Sequence, residues 1–184
     1  YAQAGGAAAF KVNCVQCHGA GAAGGKGYPN LNDDDWLWGG TPDAIYTTLK
    51  HGIRYTDDPE TRDSQMPSFG LDGILTPEQI EQVANYVVSL SGETADAGKA
   101  EAGKQIFAEN CAACHADDGK GNRDFGAPNL TDKLWLYGGT IDDVKAQLHK
   151  PSMGVMPGWT KRLDDAEIKE LAIYVHSLGG GEAP

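Results

Sequence analysis

Two stretches decide the fold: NCVQCHG at residues 13–19 and NCAACHA at residues 110–116. Each sets two cysteines three positions apart with a histidine directly after the second. Working outward, the flanking text also repeats. GAAAFKVNCVQCH from Gly6 matches GKQIFAENCAACH from Gly103, and PNLNDDDWLWGGT from Pro29 matches PNLTDKLWLYGGT from Pro128. MPSF from Met66 then matches MPGW from Met156, and LTPEQIEQVANYVVSLSG from Leu75 matches LDDAEIKELAIYVHSLGG from Leu163. The chain is a duplication of one unit, and such a repeat governs every later fold assignment. Two domains are expected, 1–92 and 93–184, joined by a linker at about residues 92–99. The separation of matching landmarks is 97 at Cys14 and Cys111 but only 90 at Met66 and Met156. The first copy therefore carries extra residues within HGIRYTDDPETRDSQ (51–65), a polar, Pro-containing stretch that reads as a surface loop.

Periodicity makes both copies helical. Gly6, Phe10 and Cys14, like Gly103, Phe107 and Cys111, recur every four residues along one helix face. The last helix of each copy is the clearest. Thr76 or Asp164 caps it; Ile80, Val83, Ala84, Val87 and Val88, or Ile168, Leu171, Ala172 and Val175, form its apolar stripe. A third helix is expected over about residues 42–50 and 141–150, so the fold class is all-α. Each copy has roughly 90 residues, a size at which an apolar core alone is marginal and a large buried cofactor would help.

Composition narrows the function. The chain of 184 residues has 26 acidic and 15 basic side chains, a formal charge of -11. Nucleic acid is a poor partner, because phosphate binding needs clustered Lys and Arg. A basic protein partner fits better. No apolar run approaches the roughly 20 residues of a membrane-spanning helix. The chain as it stands reads as soluble, with any leader or anchor lying upstream.

All four cysteines fall inside the two opening motifs, which leaves none for a disulfide framework. Cys, Cys and an adjacent His make a poor zinc site, since neighbouring residues do not readily face one ion. A thioredoxin-like redox pair would follow a strand, and no strand pattern precedes Cys14 or Cys111. Covalent attachment of a c-type haem accounts for both cysteines and the histidine at once. Two haem c groups are therefore expected, with His18 and His115 as iron ligands, each needing a hydrogen-bond partner on its other ring nitrogen. A carbonyl of the PNL loop suits that task. Met66 and Met156, matched in position and each followed by proline, are the candidate sixth ligands, and thioether ligation suits electron transfer. Met153 is the local competitor. His51 and His149 read as surface or propionate-contacting groups, and His176 as a partly buried helix residue. Trp36, Trp38, Trp135, Tyr137 and Trp159 read as core or haem wall, with N–H groups that could meet propionates. Arg54 and Arg62, in the longer loop of the first copy, are candidate propionate partners.

These motifs resemble two class I cytochrome c domains in tandem. The strings PNLTDKLWLYGGT, NLNDDDWLWGGTPDAIYTTLKHGIR, SQMPSFG and GILTPEQIEQVANYVVSLSG are similar, more specifically, to the di-haem subunit of cbb3-type cytochrome c oxidases. The resemblance implies a periplasm-facing module that passes electrons toward a haem-copper subunit. It implies the axial pairs His18/Met66 and His115/Met156, with the carbonyls of Pro29 and Pro128 supporting the histidines. It also implies membrane association through an anchor, which this chain does not contain. The expected partners are a basic donor cytochrome and an acceptor redox subunit, and the chain alone is expected not to be an enzyme. A free di-haem carrier, a dehydrogenase cytochrome subunit, a di-haem peroxidase and a gas sensor are the rival readings; the last two need an open iron position.

Overall fold

The computed structural model describes residues 1–183 and contains eight helices among them. They are α1 (Ala2–Asn13), α2 (Val15–His18), α3 (Pro42–His51), α4 (Pro77–Leu90), α5 (Ala97–Asn110), α6 (Ala112–His115), α7 (Ile141–His149) and α8 (Asp165–His176). Among the described residues there are isolated β-bridges but no strands. The expected all-α class holds.

The caps follow the sequence closely. The Thr76 hydroxyl accepts from the Gln79 amide, and the Gln79 side chain accepts from the Thr76 amide; Asp164 and Glu167 repeat this box at α8, and Thr140 and Asp143 at α7. Each box satisfies two amide donors that a helix start leaves without partners. Pro42 and Pro77 occupy first-turn positions where no amide hydrogen is needed. The expected stripes of α4 and α8 are all buried.

The compact units are not the two repeats. One unit consists of residues 1–64 with 154–184, the other of residues 65–153. In the first, α1 and α3 pack on α8; in the second, α5 and α7 pack on α4. Each unit thus takes its opening helices from one copy and its closing helix from the other, so the compact units do not coincide with the expected domains 1–92 and 93–184. The physical reason lies in the connection between the copies. Only residues 91–96 separate α4 from α5, and a connection this short makes its two helices antiparallel neighbours. Asn85, 1% exposed, secures that hairpin: its side-chain oxygen accepts from the Asp96 amide at 2.9 Å while its nitrogen donates to the Glu81 carbonyl at 2.8 Å. With α4 committed to α5, α8 is left for α1. The expected linker is correspondingly shorter, since Asp96 already caps α5.

Matched contacts make the exchange visible residue by residue. The rings of Phe10 and Tyr174 lie 5.4 Å apart in the first unit, and those of Phe107 and Tyr86 lie 5.2 Å apart in the second. Gly6 meets α8 so closely that a Cβ would stand 2.1 Å from the Glu170 carbonyl oxygen; at Gly103 it would stand 2.2 Å from that of Gln82. The two glycines that recur with Phe and Cys along one helix face are therefore helix-crossing points.

Candidate haem-binding sites

In both copies the C-x-x-C-H segment is a helical turn entered through its first cysteine. Cys14 closes α1 and opens α2, its amide donating to the Phe10 carbonyl at 2.8 Å; the His18 amide donates to the Cys14 carbonyl at 2.9 Å. Cys111 and His115 repeat both bonds at 2.8 and 2.9 Å. Cys14 and Cys111 are buried, whereas Cys17 and Cys114 are exposed. Burial, and then the neighbouring thiol, pushes Cys14 and Cys111 up to about 11. As free thiols both would be protonated and unreactive at neutral pH.

Each histidine is oriented by a proline carbonyl, as expected. His18 Nδ1 lies 3.0 Å from the Pro29 oxygen and His115 Nδ1 lies 3.1 Å from the Pro128 oxygen. A carbonyl only accepts, so each Nδ1 carries the proton and each Nε2 keeps its lone pair for a metal. Burial holds both imidazoles below their ordinary pKa, against the raising effect of those carbonyls.

The methionines are exchanged. Met156 packs against the apolar cluster that contains Cys14, Phe10, Leu49 and Trp159; Met66 packs against the cluster that contains Cys111, Phe107 and Leu148. Met156 therefore lies in the unit that holds His18, and Met66 in the unit that holds His115, whereas the expected pairs were His18/Met66 and His115/Met156. Met156 is also fixed by its backbone. Ile53 donates to the Met156 carbonyl at 2.9 Å and Met156 donates to the Ile53 carbonyl at 3.0 Å. Gly52 permits this approach, with φ +73° and a Cβ that would stand 2.3 Å from the Met156 oxygen. Met153 stands 37% exposed in the other unit from Met156.

Other expected contacts are redirected. The Trp36 indole donates to the Gly180 carbonyl at 2.6 Å, so its N–H is committed to backbone. Trp135 packs against the second unit's core, and Gly139 lets the chain pass close to its ring. Arg54 donates through Nε to the Gly154 carbonyl at 2.8 Å and through Nη1 to the Ser64 carbonyl at 3.2 Å. It thereby fastens the two residues at which the chain leaves and re-enters the first unit. His51 bonds Asp58 at 3.1 Å, and His176 donates from Nε2 to the Glu182 carbonyl at 2.7 Å.

A haem group fits these surroundings. Each unit pairs a buried and an exposed cysteine one turn apart with an adjacent histidine whose Nε2 is free. Among the described residues the first unit also holds two buried donors without partners, Arg62 Nε and Trp159 Nε1. Orphaned buried donors are rare in folded proteins, and the carboxylates of a haem would satisfy them. In the sequence both side chains stand among similar neighbours, Arg54 beside Arg62 and four further large aromatics beside Trp159, and nothing there separates them.

These sites define the chain as a pair of cytochrome c modules. Residues 3–91 match the family model described as cytochrome c, and residues 98–175 match that described as cytochrome C oxidase, cbb3-type, subunit III. Both matches follow the repeats, whereas the compact units cut across them. The chain is 59% identical over 182 residues to the cbb3-type cytochrome c oxidase subunit FixP of Sinorhizobium medicae (strain WSM419), covering 99% of this chain and 62% of that relative. It is 58% identical over 182 residues to subunit CcoP of Cereibacter sphaeroides, covering 99% of this chain and 63% of that relative. The CcoP subunit of Azospirillum sp. (strain B510) is 53% identical over 190 residues, with 99% and 64% covered. The chain belongs to the FixP/CcoP family of cbb3-type cytochrome c oxidase subunits. It spans less than two thirds of the length of these relatives. Its two cytochrome c domains take two covalently attached haem c groups.

Proposed function

We propose that this chain relays single electrons, one haem to each unit, from a basic donor cytochrome toward the haem-copper subunit of a cbb3-type oxidase on the periplasmic side of the membrane. Haem iron supplies the one-electron couple when bound. The protein's part is to hold that iron closed and dry. The cysteines would fix the group to α2 and α6, the Pro29 and Pro128 carbonyls hold the histidine tautomers, and Met156 and Met66 would serve as second iron ligands in the sites built on His18 and His115. An iron held by both a histidine and a methionine would leave no place for oxygen or peroxide, which favours relay over peroxidase or sensor chemistry. Among the described residues no helix is long and apolar enough to cross a membrane, so attachment to the bilayer would come from other segments or subunits.

One observation carries this reading: each unit independently assembles one C-x-x-C-H turn, whose histidine is bonded to a proline carbonyl, and one methionine packed against the same apolar cluster. The net charge of -11 supports a basic donor, with association rates that fall as salt rises. The test is an optical spectrum of the haem-loaded protein, oxidised and then reduced with carbon monoxide. Two methionine-ligated ferric sites and no carbon monoxide shift are expected; a shift on even one haem would favour the peroxidase or sensor reading.

A further inference from the structure

Arg62 lies in the longer loop of the first copy and is bound into the first unit by its backbone. Its amide donates to the Gly52 carbonyl at 3.2 Å, and its carbonyl accepts from the Arg54 amide at 2.9 Å. Its guanidinium stacks on Trp38, 5.2 Å from the ring centroid, and one Nη donates to the Ala44 carbonyl at 3.2 Å. Its Nε is buried and bonded to nothing among the described residues. Burial alone lowers its pKa, with no carboxylate opposing that effect. A guanidinium does not lose its proton in a protein, and a charged group's donor that is cut off from water without a partner is costly until an acceptor meets it.

Trp159, 8% exposed, presents the same unit with a second buried donor that lacks a partner. It is anchored to the same short segment as Arg62, since its amide donates to the Leu49 carbonyl at 3.0 Å. Residues 49–53 thus hold Arg62, Met156 and Trp159 together. The second unit is different. Phe69 stands where MPSF matches MPGW, and among its described residues no buried side-chain donor lacks a partner.

We propose that Arg62, assisted by Trp159, receives a propionate carboxylate of the haem carried on Cys14 and Cys17, and thereby sets the reduction potential of that haem apart from the other. This rests on the cytochrome reading above. A cation fixed near the iron favours the state with one more electron, and among the described residues only the first unit has a charged side chain with a buried, unpartnered donor. Arg62 is a positioning residue: it acts on iron through the carboxylate it holds.

The experiment is a spectroelectrochemical titration of the haem-loaded protein resolved into two midpoints, for the wild type and for Arg62→Gln, Arg62→Lys, Trp159→Phe and the exposed-charge control Lys11→Gln. Covalent haem is counted first by pyridine haemochrome on denatured protein. Fewer than two haems per wild-type chain would overturn the cytochrome reading itself, independently of Arg62. With two haems retained, Arg62→Gln is expected to lower one midpoint by about a tenfold change in its reduction equilibrium, about 59 mV for one electron, and to leave the other in place. Arg62→Lys should recover much of that shift. Trp159→Phe should give a smaller shift of the same midpoint, and it keeps the test decisive if Arg62→Gln fails to fold. Midpoints unmoved by both Trp159→Phe and the arginine variants, or both midpoints moving together as in Lys11→Gln, would overturn the proposal.

Discussion

The two units are built from the same parts and differ in how firmly one of those parts is held. In the unit containing Cys14, the methionine segment is bonded in both directions to Ile53, and Arg62 and Trp159 bring buried donors to the same place. In the unit containing Cys111, Met66 joins no bridge among the described residues, and the residues that align with Gly52 and Ile53 are Pro151 and Ser152. The segment that opens the longer loop of the first copy therefore supplies a bridge partner for a methionine that comes from the second copy. Duplication alone would give two equal methionine segments; the replacement of Pro151 and Ser152 by Gly52 and Ile53 makes them unequal.

The largest expected break in that comparison is at Gly52. Gly52→Val places a β-branched side chain at positive φ and against the Met156 carbonyl, a combination that costs several kcal/mol of order ~2–4. The methionine-to-iron band of one haem should be lost in the oxidised spectrum while the other persists. Equal loss from both haems, or from neither, would contradict the assignment. Removal of the matched aromatic rings should act alike on the two sides: Phe10→Ala and Phe107→Ala, both 2% exposed, should each cost about 3–5 kcal/mol in denaturant unfolding. A difference well beyond that range would mean that the two crossings are not equivalent.

Asn85 sharpens the contrast, because its counterpart Ile173 is 41% exposed. Asn85→Ala should cost about 1–3 kcal/mol by leaving the Asp96 amide unpaired, whereas Ile173→Ala should stay within about 0.5 kcal/mol. The smallest effect is expected at Glu81, which bonds Lys145 at 2.6 Å and Lys99 at 3.1 Å and so ties α4 to α7 and α5. Lys145 and then Lys99 hold its carboxyl below the ordinary value of 4.5. A carboxyl lowered in the folded state adds stability above its unfolded pKa, and that contribution fades as pH falls through the folded value. Glu81→Gln should therefore matter at neutral pH and become silent in acid; an effect that grows as pH falls below 4 would contradict the ion-pair account.

Much of this was legible beforehand. The caps, the stripes of α4 and α8, the cysteine turns and the proline carbonyls all depend on residues close in sequence, and local chemistry fixes them. The exchange of closing helices does not. When two copies carry the same apolar faces, α1 matches α8 as well as it matches α4, and periodicity is blind to the choice. The shortness of the 91–96 connection was the available signal. Arg54 and Arg62 show the same limit at the scale of side chains. They share a loop, a charge and partial burial, yet one turns to the carbonyls of Ser64 and Gly154 while the other keeps a buried Nε without a partner among the described residues, and only the fold separates them. Trp36 shows the same limit, because the acceptor of its indole N–H, the Gly180 carbonyl, lies 144 residues away.

The most direct test of the exchange is a nuclear Overhauser spectrum of the reduced, haem-loaded protein with labelled Phe and Tyr. The account predicts ring contacts between Phe10 and Tyr174 and between Phe107 and Tyr86, together with an amide-to-amide contact between Ile53 and Met156. Contacts of Phe10 with Tyr86 and of Phe107 with Tyr174 would show each copy folding on itself and would contradict it.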